Sequence, residues 1–255
     1  MIFTLIPSPL PLNPKKGVQA VAVDYTFVVE KPCPVCMQET RITKTRSRLV
    51  VERRDEDLCV HYKDFNPYYY KIWVCEHCGF AGDEKAFTTN MPNKHREILW
   101  NFLQEKDLDI EFEEKRTFAD AVASYELALI FLDMIGAPSS KKAIYNLNLA
   151  WVFRSVGEEY ADMEREFMLK AADYYNESLS KERYPIDGLT DTAVVYLIGA
   201  IYYRLKDYEK CTQYLSRIIG DQKVRTSEPK VYDKARDLWG DVRANKEAAK
   251  KTVKK

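Results

Sequence analysis

The sequence has no charge excess. Its 39 Lys and Arg residues equal its 39 Asp and Glu residues. Nothing global therefore favours nucleic acid or an anionic membrane, and any such case must rest on a local patch. No apolar run approaches the roughly 18 residues of a membrane span. Met1 to Leu12 is apolar but holds Pro7, Pro9 and Pro11 and no positively charged start. This argues against a signal peptide and for a Pro-rich tail over 1–17. No phosphate-binding glycine loop and no convincing nucleophile–base pair stand out. What is present is 255 residues, 46% hydrophobic and 31% charged, enough for one or two domains with a real core.

Four of the six cysteines fall in two C-x-x-C hooks, Cys33-Pro34-Val35-Cys36 and Cys75-Glu76-His77-Cys78. Paired hooks fit metal binding in a reducing, cytoplasmic compartment better than a disulfide framework. Together they supply the four thiolates of a closed tetrahedral Zn2+ site. Gly79 after the second hook can take the positive φ that such turns use. Met37 follows the first hook, where Pro34 supplies stiffness instead. A site of this kind closes a 38-residue excursion, and four sulfurs leave no open position for catalysis. His77 sits inside the second hook, but geometry favours its flanking cysteines as ligands.

The N-terminal part reads as β structure. Val18 to Val29 alternates like a strand, Thr40 to Glu52 is rich in Thr, Arg, Val and Ile, and Tyr68 to Val74 delivers Cys75 directly. Hooks at strand ends describe a zinc ribbon-like β domain over 18–90. Met91-Pro92-Asn93 marks a linker and a helix start. Helical spacing then runs over 91–245, and a basic end expected to fray occupies 246–255. The fold class expected is α+β, a small β-rich ribbon followed by an all-α stack.

Two further clusters carry candidate chemistry. If Asp55 to His61 is extended, Asp55, Asp57, Cys59 and His61 share one face. Asp57, Cys59 and His61 would then form a second metal site or a reactive-cysteine site. The plainer reading has a solvated acidic turn, Cys59 packed beside the metal core and His61 exposed. Lys44, Arg46 and Arg48 fall on one strand face near Tyr68 to Tyr70, a pattern that can grip a nucleic-acid backbone. The plainer reading is a solvated face balanced by Asp55 to Asp57.

Ile198 to Ile219 resembles a tetratricopeptide repeat. Gly199 and Ala200 let two helices approach, Tyr202 and Tyr208 pack across them, and Cys211 stands where the repeat has Ala. Phe118 to Leu129 matches a second helix of the repeat, with Ala121, Tyr125 and Ala128 in place. Glu158 to Arg165 reads as an insertion. The alanine-type positions Ala121, about Ala171, and Cys211 lie 50 and 40 apart, so the stack is irregular, of about three units. Val231, Ala235, Leu238, Trp239 and Val242 form one apolar stripe that caps it. Tyr174, Tyr175, Tyr202, Tyr203 and Asn146 are candidate groove residues, though core packing explains most of them.

The order Cys-Pro-Val-Cys, Arg46-Ser47-Arg48-Leu49, Arg54-Asp55-x-Asp57-x-Cys59, Asn66-Pro67-x-x-Tyr70 and Val74-Cys75-x-x-Cys78-Gly79-x-Ala81 is similar to the bacterial domain-of-unknown-function family 2225. The resemblance covers roughly residues 30–240. It implies a cytoplasmic bacterial protein of two-part architecture, places Asp57 and Cys59 inside the shared pattern, and implies no particular reaction. The function expected is a zinc-binding, non-catalytic adaptor whose helical stack holds a protein or peptide partner. The alternatives are a nucleic-acid-binding ribbon using Lys44, Arg46 and Arg48, and a thiol enzyme or redox sensor at Cys59.

Overall fold

The computed structural model describes residues 24–105 and 114–253. The Pro-rich tail and the first part of the strand expected from Val18 lie outside the described residues. Three antiparallel strand pairs come first. β1 (Thr26–Pro32) pairs with β2 (Glu39–Thr45), β3 (Val51–Arg54) with β4 (Val60–Tyr62), and β5 (Ile72–Val74) with β6 (Ala81–Asp83). Nine helices follow among the described residues: α1 (Glu84–Thr88), α2 (Asn93–Glu105), α3 (Phe118–Met134), α4 (Ser139–Arg154), α5 (Ala161–Lys181), α6 (Asp191–Arg204), α7 (Tyr208–Ile219), α8 (Gln222–Ser227) and α9 (Pro229–Val253). None is long and apolar enough to cross a membrane.

Several strand expectations are corrected. The strand expected over Thr40 to Glu52 is two strands, because the polar run after Thr45 leaves β2 and a separate β3 starts at Val51. The strand expected over Tyr68 to Val74 begins only at Ile72. Pro67 to Tyr70 is instead a 3-10 turn: Asn66 caps it by accepting from the Tyr68 amide at 3.0 Å, and Pro67 starts it. Tyr68 and Tyr70 thereby turn into the core, with 5% and 6% of their surface exposed. Asp55 to His61 is not extended either. Asp55 to Cys59 is the β3–β4 turn, in which Leu58 takes φ 71° and its amide bonds the Asp55 carbonyl at 3.0 Å, and only Val60 and His61 of this stretch lie on a strand.

Helix starts follow local chemistry. Thr117 and Asp120 form a reciprocal capping box on α3. Asp83, Thr190 and Asp207 cap α1, α6 and α7. Glu158 to Arg165, read as an insertion, is a short 3-10 turn over Glu158–Tyr160 leading straight into α5. The basic end expected to fray carries α9 on to Val253, and residues 254–255 lie outside the described residues.

Each helix from α3 to α7 packs on the next, and α9 returns onto α6 and α7 through Ala235, Leu238 and Val242. One hydrophobic core runs from Cys33 in the β region to Val242 in α9. Phe80, just after the second hook, stacks on Phe131 of α3 at 5.8 Å. The Tyr125 hydroxyl of α3 donates to the Tyr68 carbonyl at 3.1 Å. Among the expected groove residues, Asn146, Tyr175 and Tyr202 are core residues, while Tyr174 and Tyr203 are half-buried.

Candidate metal centre

Both hooks are the turns of hairpins. Cys33 to Gln38 joins β1 to β2, and Cys75 to Phe80 joins β5 to β6. In each the second cysteine is followed by a residue in left-handed conformation, Met37 at φ 63° and Gly79 at φ 77°. The turns close alike: the Met37 amide bonds the Cys33 carbonyl at 3.0 Å, and the Gly79 amide the Cys75 carbonyl at 2.9 Å. The first hook thus reaches the same geometry as the second without glycine, at the cost of a strained methionine that is 62% exposed.

The two turns bring four sulfurs together. Cys33 Sγ lies 3.7 Å from Cys78 Sγ, and Cys36 Sγ lies 3.7 Å from Cys75 Sγ. All four lie within 4.8 Å of one another. A disulfide needs about 2.05 Å, so these are separate thiols. A tetrahedron with metal–sulfur bonds of about 2.3 Å has edges of about 3.8 Å, which the observed contacts match. The donor set therefore fits a tetrahedral metal ion held by Cys33, Cys36, Cys75 and Cys78. Electrostatics agree. Cys75 is held far below the usual thiol pKa because the Cys33 and Cys78 thiols hydrogen-bond to it, and the contact with Cys75 pushes Cys33 up to about 12. Four crowded sulfurs share protons unless a cation joins them.

Around the sulfurs, the Thr40 hydroxyl accepts from the Glu76 amide at 3.1 Å, and Arg41 N–H donates to the Glu76 carboxylate at 3.1 Å. These bonds lock the second turn onto β2. His77 is not among the ligands: its Nε2 bonds the Glu39 carbonyl at 2.8 Å.

The other candidates land elsewhere. Asp57 accepts from the Cys59 amide at 3.3 Å but is not in the group that Cys59 and His61 form, and its carboxylate is bound by the helices. Both its oxygens bond Arg154 of α4, at 3.0 and 2.6 Å, and Trp151 Nε1 donates to Oδ2 at 3.1 Å. The same guanidinium reaches Asp55 Oδ2 at 2.8 Å and Glu164 Oε1 of α5 at 2.7 Å. Arg204 of α6 also bonds Glu164, and Arg53 bonds Asp55. Three carboxylates thus face three guanidinium groups, and the cluster is balanced without a further ion. The group that does converge is Asp55, Cys59 and His61, with His61 Nε2 2.7 Å from Asp55 Oδ2. That spacing is a hydrogen bond rather than two ligands on one ion. Burial pushes the Asp55 carboxyl up, but the His61 bond and the Arg154 charge outweigh it and hold it below the usual range. Burial pushes the Cys59 thiol up to about 12. Such a thiol is not poised as a nucleophile.

The expected basic stripe is interrupted. Lys44 on β2 bonds Glu84 at 2.8 Å, and Arg46, past the strand end, bonds the Asp24 carbonyl at 2.9 Å. Arg48 stands exposed in the β2–β3 connection. Arg154, Glu164 and Trp151 were invisible to sequence reasoning, since Arg154 and Asp57 are 97 residues apart. The one available signal was an Arg directly after the apolar stretch Leu149 to Phe153. No curated protein and no solved structure matches the chain. The family model described as an uncharacterized protein conserved in bacteria (DUF2225) matches residues 29–242, a span holding both hooks, the Asp57–Arg154 contact and every helix up to α9, and the chain belongs to that family.

Proposed function

We propose that the four cysteines form a structural zinc centre in a ribbon-like β module. On this reading the chain is a non-catalytic cytoplasmic interaction protein, its tetratricopeptide-like stack taking a protein or peptide partner. The observation that carries the zinc reading is the pair of 3.7 Å sulfur contacts, the edge length of a zinc–thiolate tetrahedron. Zinc suits an all-thiolate tetrahedral set better than the harder divalent ions do. The set fills the coordination sphere, so its role is to hold structure; finger peptides bind zinc with roughly 10–16 kcal/mol.

Helix packing supports the repeat reading. Ala121, Ala171 and Cys211 are fully buried at their helix contacts. A Cβ on Gly199 would lie 3.1 Å from Leu215 Cδ2, so the approach of α6 to α7 depends on that glycine. The high pKa of Cys59 weighs against a thiol enzyme, and the acids beside Lys44 and Arg46 weigh against a nucleic-acid face.

Elemental analysis of reductively purified protein should find about one zinc per chain, falling sharply in Cys33→Ser and Cys78→Ser. A metal-free yet fully folded protein would overturn the zinc reading. Co-purification with the full chain as bait tests the partner reading separately. A stoichiometric partner supports it; its absence removes the adaptor role and leaves the metal centre standing.

A further inference from the structure

A cleft of about 620 Å3 lies where the β module meets α4. Its helical wall is a single face: Lys141, Ile144, Tyr145 and Asn148 recur at spacings of three and four. The opposite wall is built from Lys71 to Trp73 and from Asp83 to Lys85, with Lys44 above the Trp73 ring at 5.3 Å. The volume falls in the range of small-molecule sites.

Most charges in the cleft are already matched. Lys44 bonds Glu84, Lys85 bonds Asp187, and Lys141 bonds Asp83. Lys71 is the exception. Its ammonium sits 5.0 Å from the Tyr68 ring centroid and has no carboxylate partner among the described residues. Four lysines against three acids leave the cleft with one excess positive charge, at Lys71. The protein packed around that ammonium lowers its pKa, while the residue stays solvent-accessible.

Asn148 supplies a second, independent observation. It is only 5% exposed, and its Oδ1 is buried without a hydrogen-bond partner among the described residues. A buried amide left unpaired costs free energy, commonly about 1–3 kcal/mol. Native proteins rarely leave such a group idle. Asn148 lines the same cleft as the unmatched ammonium.

We propose that this cleft binds a small anionic molecule, its phosphate or carboxylate group held by the Lys71 ammonium and a neighbouring hydroxyl of the molecule donating to Asn148 Oδ1. The buried aromatic surface of Trp73 and Tyr145 gives the floor an apolar, water-poor character, which strengthens a charge-assisted hydrogen bond. The assignment does not depend on the zinc or adaptor reading.

The test titrates the full-length, metal-replete protein with inorganic phosphate, which keeps a P–OH donor, and, separately, with malate, a dicarboxylate that carries a hydroxyl. Ionic strength is held constant with chloride. The readouts are the side-chain amide NMR signal of Asn148 and the thermal midpoint. Saturable shifts of both are expected with at least one anion, and the arm that saturates first tells phosphate from carboxylate. Lys71→Met and Asn148→Leu remove unmatched groups and keep side-chain volume, so both variants should melt no lower than the parent without anion. Each should need about tenfold more anion to saturate, as expected for one lost charge-assisted or buried hydrogen bond. Linear, non-saturating shifts with both anions, or saturation unchanged in both variants, would overturn the assignment. Should one variant melt lower than the parent, the other decides.

Discussion

Arg154→Met is the perturbation whose cost can be reasoned most directly. The Arg154 side chain is 5% exposed, and three carboxylates lean on it: Asp57 (1% exposed), Asp55 and Glu164. Methionine keeps much of the volume and removes the charge. Asp57 would then keep the Trp151 indole and the Cys59 amide as donors but lose its counter-charge. Breaking a buried pair by removing one partner costs about 3–5 kcal/mol, because the remaining charge is uncompensated. An exposed pair such as Lys170–Glu166 contributes only about 0.3–0.5 kcal/mol. Urea unfolding in metal-replete buffer, followed by circular dichroism, should separate Arg154→Met from Lys170→Ala by several kcal/mol. The double variant Asp57→Leu/Arg154→Met removes both members of the bidentate contact. It should cost clearly less than the sum of its single changes, since the largest penalty in each is a stranded charge. A cost below about 1 kcal/mol for Arg154→Met, or additivity within about 0.5 kcal/mol, would refute the reasoning.

Two further outcomes follow from the same junction. The folded Asp55 carboxyl has a depressed pKa, so its contribution is present above the unfolded carboxylate pKa of about 3.9 and is lost as pH falls through the lower folded value. Stability should therefore decline at acid pH less steeply in Asp55→Asn than in the parent; parallel curves would count against the assigned partners. Cys59, buried and with its thiol pushed up to about 12, should resist iodoacetamide at neutral pH until the protein unfolds. Rapid labelling of Cys59 in the native protein, read by mass spectrometry, would restore the thiol-enzyme alternative.

The four-cysteine cluster was legible because its code is local. Two C-x-x-C spacings force two sulfurs each to one side of a turn, and only their meeting had to be inferred. Helices were legible through their period, as Ala121, Tyr125 and Ala128 show in α3, whereas the Thr117–Asp120 capping box emerged only in the fold. The short strands were not. Tyr68 to Tyr70 has strong strand propensity, but Asn66 and Pro67 fix a turn there and burial of the rings outweighs propensity. Asp57 was flagged for the wrong reason. Period-two reasoning put it beside Cys59 and His61, whereas the left-handed Leu58 ends the alternation and sends the carboxylate to Arg154. Lys71 and Asn148 carried no signal at all, since an unpaired group is recognised only once its neighbours are known.

The change of texture near residue 90 separates two kinds of secondary structure, yet the core crosses it without a break, and this bears on what the metal does. The Cys75 to Phe80 turn is held by the sulfurs at one end and by Phe80 at the other, where Phe80 meets Phe131 of α3. Tyr68 packs on Trp151 of α4 at 5.1 Å, close to the Asp57 contact. A metal that fixes the hooks therefore fixes groups on which α3 and α4 rest. A metal bound there would also close the 38-residue segment between Cys36 and Cys75. By the chain-entropy model for a cross-link, closing a loop of that length is worth about 4 kcal/mol. If the β module were energetically separate, chelation would melt strands and leave the helices at their former urea midpoint. Because the core is shared, chelation should lower the midpoint of the helical signal itself, by about 4 kcal/mol of stability or more. The measurement is urea unfolding followed by helical circular dichroism, with and without a strong zinc chelator. A helical midpoint indifferent to the chelator would mean that the aromatic contacts between Phe80 and Phe131 and between Tyr68 and Trp151 transmit no stability across the junction.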